Sequence, residues 1–244
     1  MEELINGLVY YKIFDKSYKD SSHVYSKKNE SINLAEIEKN KKSIINYFSA
    51  ADILILRQVH SNKIIDADVE SETFESEADG SVTSKKNLVL AIQTADCVPV
   101  LLASDDGTVI GAAHCGWKSA KANIISNLVS SMKEKGAKNL IAVIGPAIAQ
   151  SSYEVDNKYY TDFIADSPNN SVFFVESKRE GHYMFDLPKY VEARLQEAGI
   201  ENIKNISEDT YTNPLKYPSY RRSYHSGEPY KENILSTIII KNKL

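Results

Sequence analysis

Three side chains with metal-binding or nucleophilic chemistry stand where apolar runs give way to turns: His60 after residues 53–59, Cys97 after residues 88–93, and His114 after residues 108–113. Zinc accepts thiolate sulfur and imidazole nitrogen, and a catalytic zinc takes three protein ligands and keeps a fourth position for water or substrate. His60, Cys97 and His114 would supply that set. Their wide separation along the chain matches no compact zinc signature, however. The same residues also read as a cysteine nucleophile, Cys97, activated by His60 or His114. A third reading is two capped histidines and a buried thiol.

Two carboxylates and two guanidinium groups lie near these positions. Asp96, beside Cys97, would orient a ligand histidine or move a proton. Asp79 would serve either role, or close a turn with Gly80. Arg221 and Arg222 follow a proline-broken loop, and guanidinium binds oxyanions in bidentate fashion. The run Gly111-Ala112-Ala113-His114-Cys115-Gly116-Trp117 carries small residues that let backbones approach closely, and it leads into a helix whose first amides suit an anion. Cys115 reads as packing, because adjacent residues point in different directions. His225 lies near the arginines, while His23 and His182 have no partner signal.

The elements that must position these groups follow from apolar periodicity. Strands are expected at residues 8–14, 53–59, 63–66, 88–93, 98–103, 108–113, 140–144, 173–175, 203–207 and 234–240. Helices are expected at residues 33–50, with Asn33 and Glu36 as a capping pair, and at residues 117–136 as one long helix ending on Gly136. Two more are expected at residues 156–165 and from Asp186, an N-cap followed by Pro188, to Gly199. Residues 211–230 read as a loop rich in Tyr, Pro and Arg. Strands and helices mix without strict alternation, so the expected class is α+β, in one domain spanning residues 1–244.

Six segments in order resemble the laccase-domain family, known both as multicopper polyphenol oxidases and as purine nucleoside phosphorylases. They are Gln58-Val59-His60; Ala78-Asp79-Gly80; Thr94-Ala95-Asp96-Cys97 with Val98-Pro99-Val100-Leu101-Leu102; Ala112-Ala113-His114-Cys115-Gly116-Trp117; Ile144-Gly145-Pro146-Ala147-Ile148 with Tyr153-Glu154-Val155; and Thr210-Tyr211-Thr212 with Ser219-Tyr220-Arg221-Arg222. The resemblance implies zinc, with copper as an alternative, on His60, Cys97 and His114. It implies a fold of mixed sheets layered with helices (α/β/β/α), like the catalytic domain of a cytotoxic necrotizing factor. The implied activity is phosphorolysis of adenosine, inosine, guanosine and methylthioadenosine, together with adenosine deamination. A peptidoglycan-precursor editing hydrolase and a copper-dependent polyphenol oxidase are the alternatives. Asp79, Asp96, Arg221 and Arg222 would then handle protons and phosphate, with Tyr211 and Tyr220 stacking on the base. The chain departs from the family pattern at Lys118-Ser119, where Arg-Gly is usual, and at Asp209, where Cys is usual. It also departs at residues 223–228, which lack the usual acidic residue and Gly-Arg ending.

Composition narrows the partners. With 29 Lys+Arg against 33 Asp+Glu, the 244-residue chain has a net charge of −4 and no basic stripe, which argues against a nucleic-acid surface. No run approaches the ~20 apolar residues that span a membrane. Two cysteines cannot form a disulfide framework, and the charged first residues lack a signal-peptide core, so a cytoplasmic, reducing setting is expected. The expected partners are therefore small: purine nucleosides and phosphate.

Overall fold

The computed structural model describes residues 1–18, 34–69, 73, 76–230 and 232–242. In chain order the elements are β1 (Glu2–Ile5), β2 (Val9–Phe14), α1 (Leu34–Phe48), β3 (Asp52–Ile55), β4 (Ile64–Asp66), β5 (Gly80–Thr83), β6 (Leu88–Thr94), β7 (Val98–Ser104) and β8 (Ile110–Cys115). There follow α2 (Trp117–Lys121), α3 (Ile124–Glu134), β9 (Leu140–Ile144), β10 (Glu154–Asp156), α4 (Asn157–Asp166), β11 (Phe174–Glu176) and β12 (His182–Phe185). The chain closes with α5 (Leu187–Glu197), β13 (Asn202–Asn205), α6 (Tyr220–Ser226) and β14 (Ile234–Ile240). Asn33 and His23 fall outside the described residues, and so does the capping pair expected at the start of α1.

Among the described residues three sheets form: a mixed five-stranded one ordered β1-β2-β14-β6-β3, a mixed six-stranded one ordered β13-β9-β7-β8-β5-β4, and a small antiparallel one ordered β10-β12-β11. Strands β6 and β7 are buried at every residue, as expected of continuous apolar runs covered on both faces. The period of two sorts their side chains into layers. Leu90 and Ile92 of β6 meet Leu101 of β7 and Ile110 and Ala112 of β8 between the two large sheets. Val89 and Ala91 face the other way, against Ile44 and Phe48 of α1. Val100 and Leu102 pack outward on α3 and α5. The layers are thus helix, sheet, sheet and helices, and the class is α+β. Among the described residues no helix is long and apolar enough to cross a membrane.

One expectation is corrected. The long helix is two helices, because Asn123 adopts a left-handed conformation (φ 66°) between α2 and α3. Asn tolerates this region better than most residues. The break frees α3 to lay Ile124, Ile125, Leu128, Val129 and Met132 onto the six-stranded sheet, each burial contributing roughly 1.5–3 kcal/mol. Gly136 ends α3 at φ 95° with its amide on the Lys133 carbonyl, as expected. Asp186 caps α5 by accepting from the Lys189 amide at 2.9 Å. Five elements are additional to the sequence reading: the short strands β1, β10 and β12, β5, where a turn at Asp79-Gly80 was one alternative, and α6 inside the expected loop.

Candidate metal centre and cleft

Alternation along β8 decides which residues face the interior between the sheets. Ile110 and Ala112 point there, so His114 does too, while Ala113 and Cys115 point to the helix side. Cys115 is therefore a core residue, and burial pushes its thiol well up. His60 and Cys97 come from the turns that follow β3 and β6. The candidate ligand atoms of His60, Cys97 and His114 all lie within 4.8 Å of one another. No other group of this kind occurs among the described residues.

One carboxylate organises two of the three. Oδ1 of Asp79 accepts from Nδ1 of His114 at 2.8 Å and from the His60 amide at 2.9 Å. Its Oδ2 accepts from the amides of Val59 and Ser61 and from the Ser61 hydroxyl. The His114 amide closes the arrangement on the Asp79 carbonyl at 2.7 Å. His60 itself is left-handed, at φ 60°. Such a residue persists only where its surroundings over-determine it, and the amides gathered by Asp79 do so. Burial opposes the charge on Asp79, but His114 and Ser61 outweigh it and hold the carboxyl below the usual range. Because Nδ1 of His114 is committed to Asp79, its other ring nitrogen turns to Cys97, the arrangement that fixes a ligand histidine's tautomer. Burial alone would push the His114 pKa down; the Cys97 sulfur and Asp79 reverse this and push it up to about 9.

Gly116 makes the room. A Cβ there would sit 2.4 Å from Nδ1 of His60 and 3.1 Å from the Cys97 sulfur. Two imidazoles and a sulfur converge on a space that any larger residue would fill, and among the described residues no fourth His, Cys, Asp or Glu ligand joins them. This donor set fits zinc in an open site.

The triad lines a cleft of about 610 Å³. Gln58 fixes one wall by pairing with the backbone of Gln93 in both directions at 2.8 Å. Trp117 and Tyr153 form another wall through the Tyr159 ring, at centroid distances of 4.9 Å and 6.3 Å. The C-terminal segment supplies Tyr220, Arg221, Tyr230 and Asn233.

Asp96 ties this segment to the Cys97 turn. Its carboxylate accepts from the Thr210 hydroxyl at 2.6 Å, the Ser219 hydroxyl at 2.9 Å and the Arg221 amide at 2.7 Å. Like His60, Asp96 has a left-handed backbone, at φ 90°. The Arg221 guanidinium lies 4.9 Å over the Tyr153 ring and donates to the Glu154 carbonyl. Arg222, by contrast, is not among the cleft-lining residues. It donates to the carbonyls of Thr210, Tyr211 and Tyr217 and so staples the loop. Asp209 collects four donors: the amides of Ala149 and Tyr211 and the hydroxyls of Ser152 and Thr212. Tyr220 lines the cleft, whereas Tyr211 bonds His225 at 3.0 Å instead. His182 bonds the Glu180 carbonyl.

Sequence reasoning did not single out Tyr230, Asn233, Gln93 or Leu187 as cleft residues. Each belongs to a strand, a helix start or a loop with no chemical spacing to mark it. The Gln58 pairing was visible only as part of the motif ending in His60.

Residues 15–232 match the family described as multi-copper polyphenol oxidoreductase laccase. A Rickettsia conorii protein named purine nucleoside phosphorylase is 67% identical over 241 residues, covering 99% of this chain and all of the relative. The Escherichia coli protein named purine nucleoside phosphorylase YfiH is 31% identical, over 78% of this chain and 77% of its own. Among solved structures, Neisseria meningitidis protein NMB0706 superposes with a TM-score of 0.82 at 22% identity, covering 98% of this chain and 96% of that one.

Proposed function

The chain belongs to the multi-copper polyphenol oxidoreductase laccase family, and we propose that it is a zinc-dependent purine nucleoside phosphorylase that also deaminates adenosine. One observation carries the reading: a single His60–Cys97–His114 set, with no fourth ligand among the described residues, lining a cleft that Arg221 also lines. The names of the relatives support the substrate class. A multicopper cluster would require more ligands than this set provides, which favours the nucleoside reading over the oxidase.

His60, Cys97 and His114 hold the metal. Bound there, zinc supplies a Lewis acid that makes an oxygen nucleophile available at neutral pH. The remaining steps belong to the chain. Arg221 binds the phosphate whose oxygen attacks the anomeric carbon as the glycosidic C–N bond breaks and the purine leaves, its nitrogen taking a proton from solvent; the guanidinium is held by Tyr153 and the Glu154 carbonyl. Asp79 stays ionised and keeps His114 in one tautomer, so its role is orientation rather than proton transfer. Asp96 positions Arg221 by its backbone amide. Arg222 acts one step further out, by holding the loop that carries both arginines. Tyr220 and Tyr230, in contact at 5.6 Å, offer aromatic faces to the base. The motifs run through both large sheets, so the chain acts as one domain around one site, in the cytoplasm, where Cys97 stays reduced.

Zinc-loaded protein incubated with adenosine or inosine and phosphate will release ribose 1-phosphate and the free base, and adenosine will also give inosine. Absence of all three products at proven metal occupancy would overturn the proposal.

A further inference from the structure

Lys118 is the second residue of α2, exposed at the edge of the cleft. Its ammonium lies 5.5 Å from the Trp117 ring centre, and among the described residues it forms no ion pair. The other cations that line the cleft are differently placed. Arg57 is bound to Glu77 at 3.2 Å, while Arg221 donates to a neutral carbonyl. The one carboxylate lining the cleft, Asp96, is already surrounded by three donors. Those donors are neutral and leave the Asp96 charge in place, so Lys118 and Arg221 together exceed the one lining carboxylate by one positive charge.

The two cations also share a wall. Lys118 rides on Trp117, Trp117 touches Tyr159, Tyr159 touches Tyr153, and Arg221 rides on Tyr153. These rings are tilted against one another, by 54° between Trp117 and Tyr159 and 74° between Tyr153 and Tyr159, and the ammonium and guanidinium stand at the two ends of that wall, on a cleft that both line and that an anion would enter. Guanidinium supplies the directional bonds and ammonium a mobile point charge.

We propose that Lys118 and Arg221 form a phosphate subsite, and that Lys118 sets the affinity for phosphate without contributing to nucleoside binding. This rests on the phosphorylase reading for its physiological meaning, but phosphate binding itself does not depend on turnover. Replacing the exposed ammonium removes one charge-assisted contact, and an effect of about tenfold is expected.

Two measurements on zinc-loaded protein test it. In the first, inorganic phosphate is titrated calorimetrically into wild type, Lys118→Gln and Lys118→Arg. The proposal expects Kd to rise about tenfold in Lys118→Gln and to stay within about threefold of wild type in Lys118→Arg. Equal Kd values in wild type and Lys118→Gln would overturn it, as would a wild type that binds no phosphate. In the second, phosphate and inosine are varied separately during turnover. KM for phosphate is expected to rise while KM for inosine holds; a rise in the inosine KM alone would overturn it. A wild type that binds phosphate through Lys118 but turns over no nucleoside would refute the phosphorylase reading and leave the subsite standing. Lys118-dependent binding of a nucleoside 5′-monophosphate with no such dependence for inorganic phosphate would contradict the subsite.

Discussion

The two halves of the cleft are built on the same device set in different surroundings. On the metal side, Asp79 gathers the His60 turn and His114, and it is wholly buried between strands of the six-stranded sheet. On the C-terminal side, Asp96 gathers Thr210, Ser219 and the Arg221 amide, but the segment it holds is largely loop and short helix. Each carboxylate stands beside a left-handed, non-glycine residue or is one itself. The difference teaches how the labour divides. His114 is placed by strand register in the core and His60 by a turn whose amides Asp79 gathers, whereas Arg221 and Tyr220 are placed by polar side chains that reach across from other segments.

The comparison can be broken one carboxylate at a time. Asp79→Asn should have the largest effect, because an amide cannot accept from all five donors. Zinc affinity should fall by about 10–100-fold in a chelator competition, with the phosphate Kd of residual metal-loaded protein little changed. Gly116→Ala should come next. Its Cβ would collide with the His60 ring, and such overpacking costs about 1–3 kcal/mol, read as reduced zinc stoichiometry and a lower midpoint in urea. Asp96→Asn should show the converse pattern, keeping zinc but losing kcat/KM by about tenfold or more as Arg221 loosens.

These expectations also mark what was legible in sequence. His60, Cys97 and His114 stand at the ends of apolar runs, and runs such as residues 88–93 and 98–103 carry their own period, so strands β6, β7 and β8 could be read within one or two residues. The Asn123 break could not, because the apolar stripe continues through it and only a φ angle interrupts it. Asp79 and Asp96 were legible as acids near the ligands, but their orienting geometry was not. It depends on amides and hydroxyls that are distant in sequence, Arg221 lying 125 positions from Asp96. Arg222 looks like the twin of Arg221 in sequence, yet three carbonyls hold it in the loop. Asn233 and Tyr230 had no signal at all, since a cleft wall needs shape rather than spacing.

The smallest effect should come from Asp209, which ties the residues after β9 to the C-terminal segment. Burial raises its pKa, but the Ser152 hydroxyl and the Ala149 and Tyr211 amides outweigh this, so the folded value lies below the ordinary 3.8. A depressed carboxylate contributes stability above its unfolded pKa and loses it as pH falls through the folded value. Asp209→Asn should therefore be less stable than wild type by about 1 kcal/mol near pH 7. The gap should narrow below about pH 4; a gap independent of pH in urea unfolding would show that the charge contributes nothing.

The central claim is that His60, Cys97 and His114 hold one metal ion between them. Elemental analysis of purified wild type and His60→Ala tests it most directly. One zinc per wild-type chain, and essentially none in a folded His60→Ala variant, is the predicted result. An equal zinc content in the two proteins would contradict it.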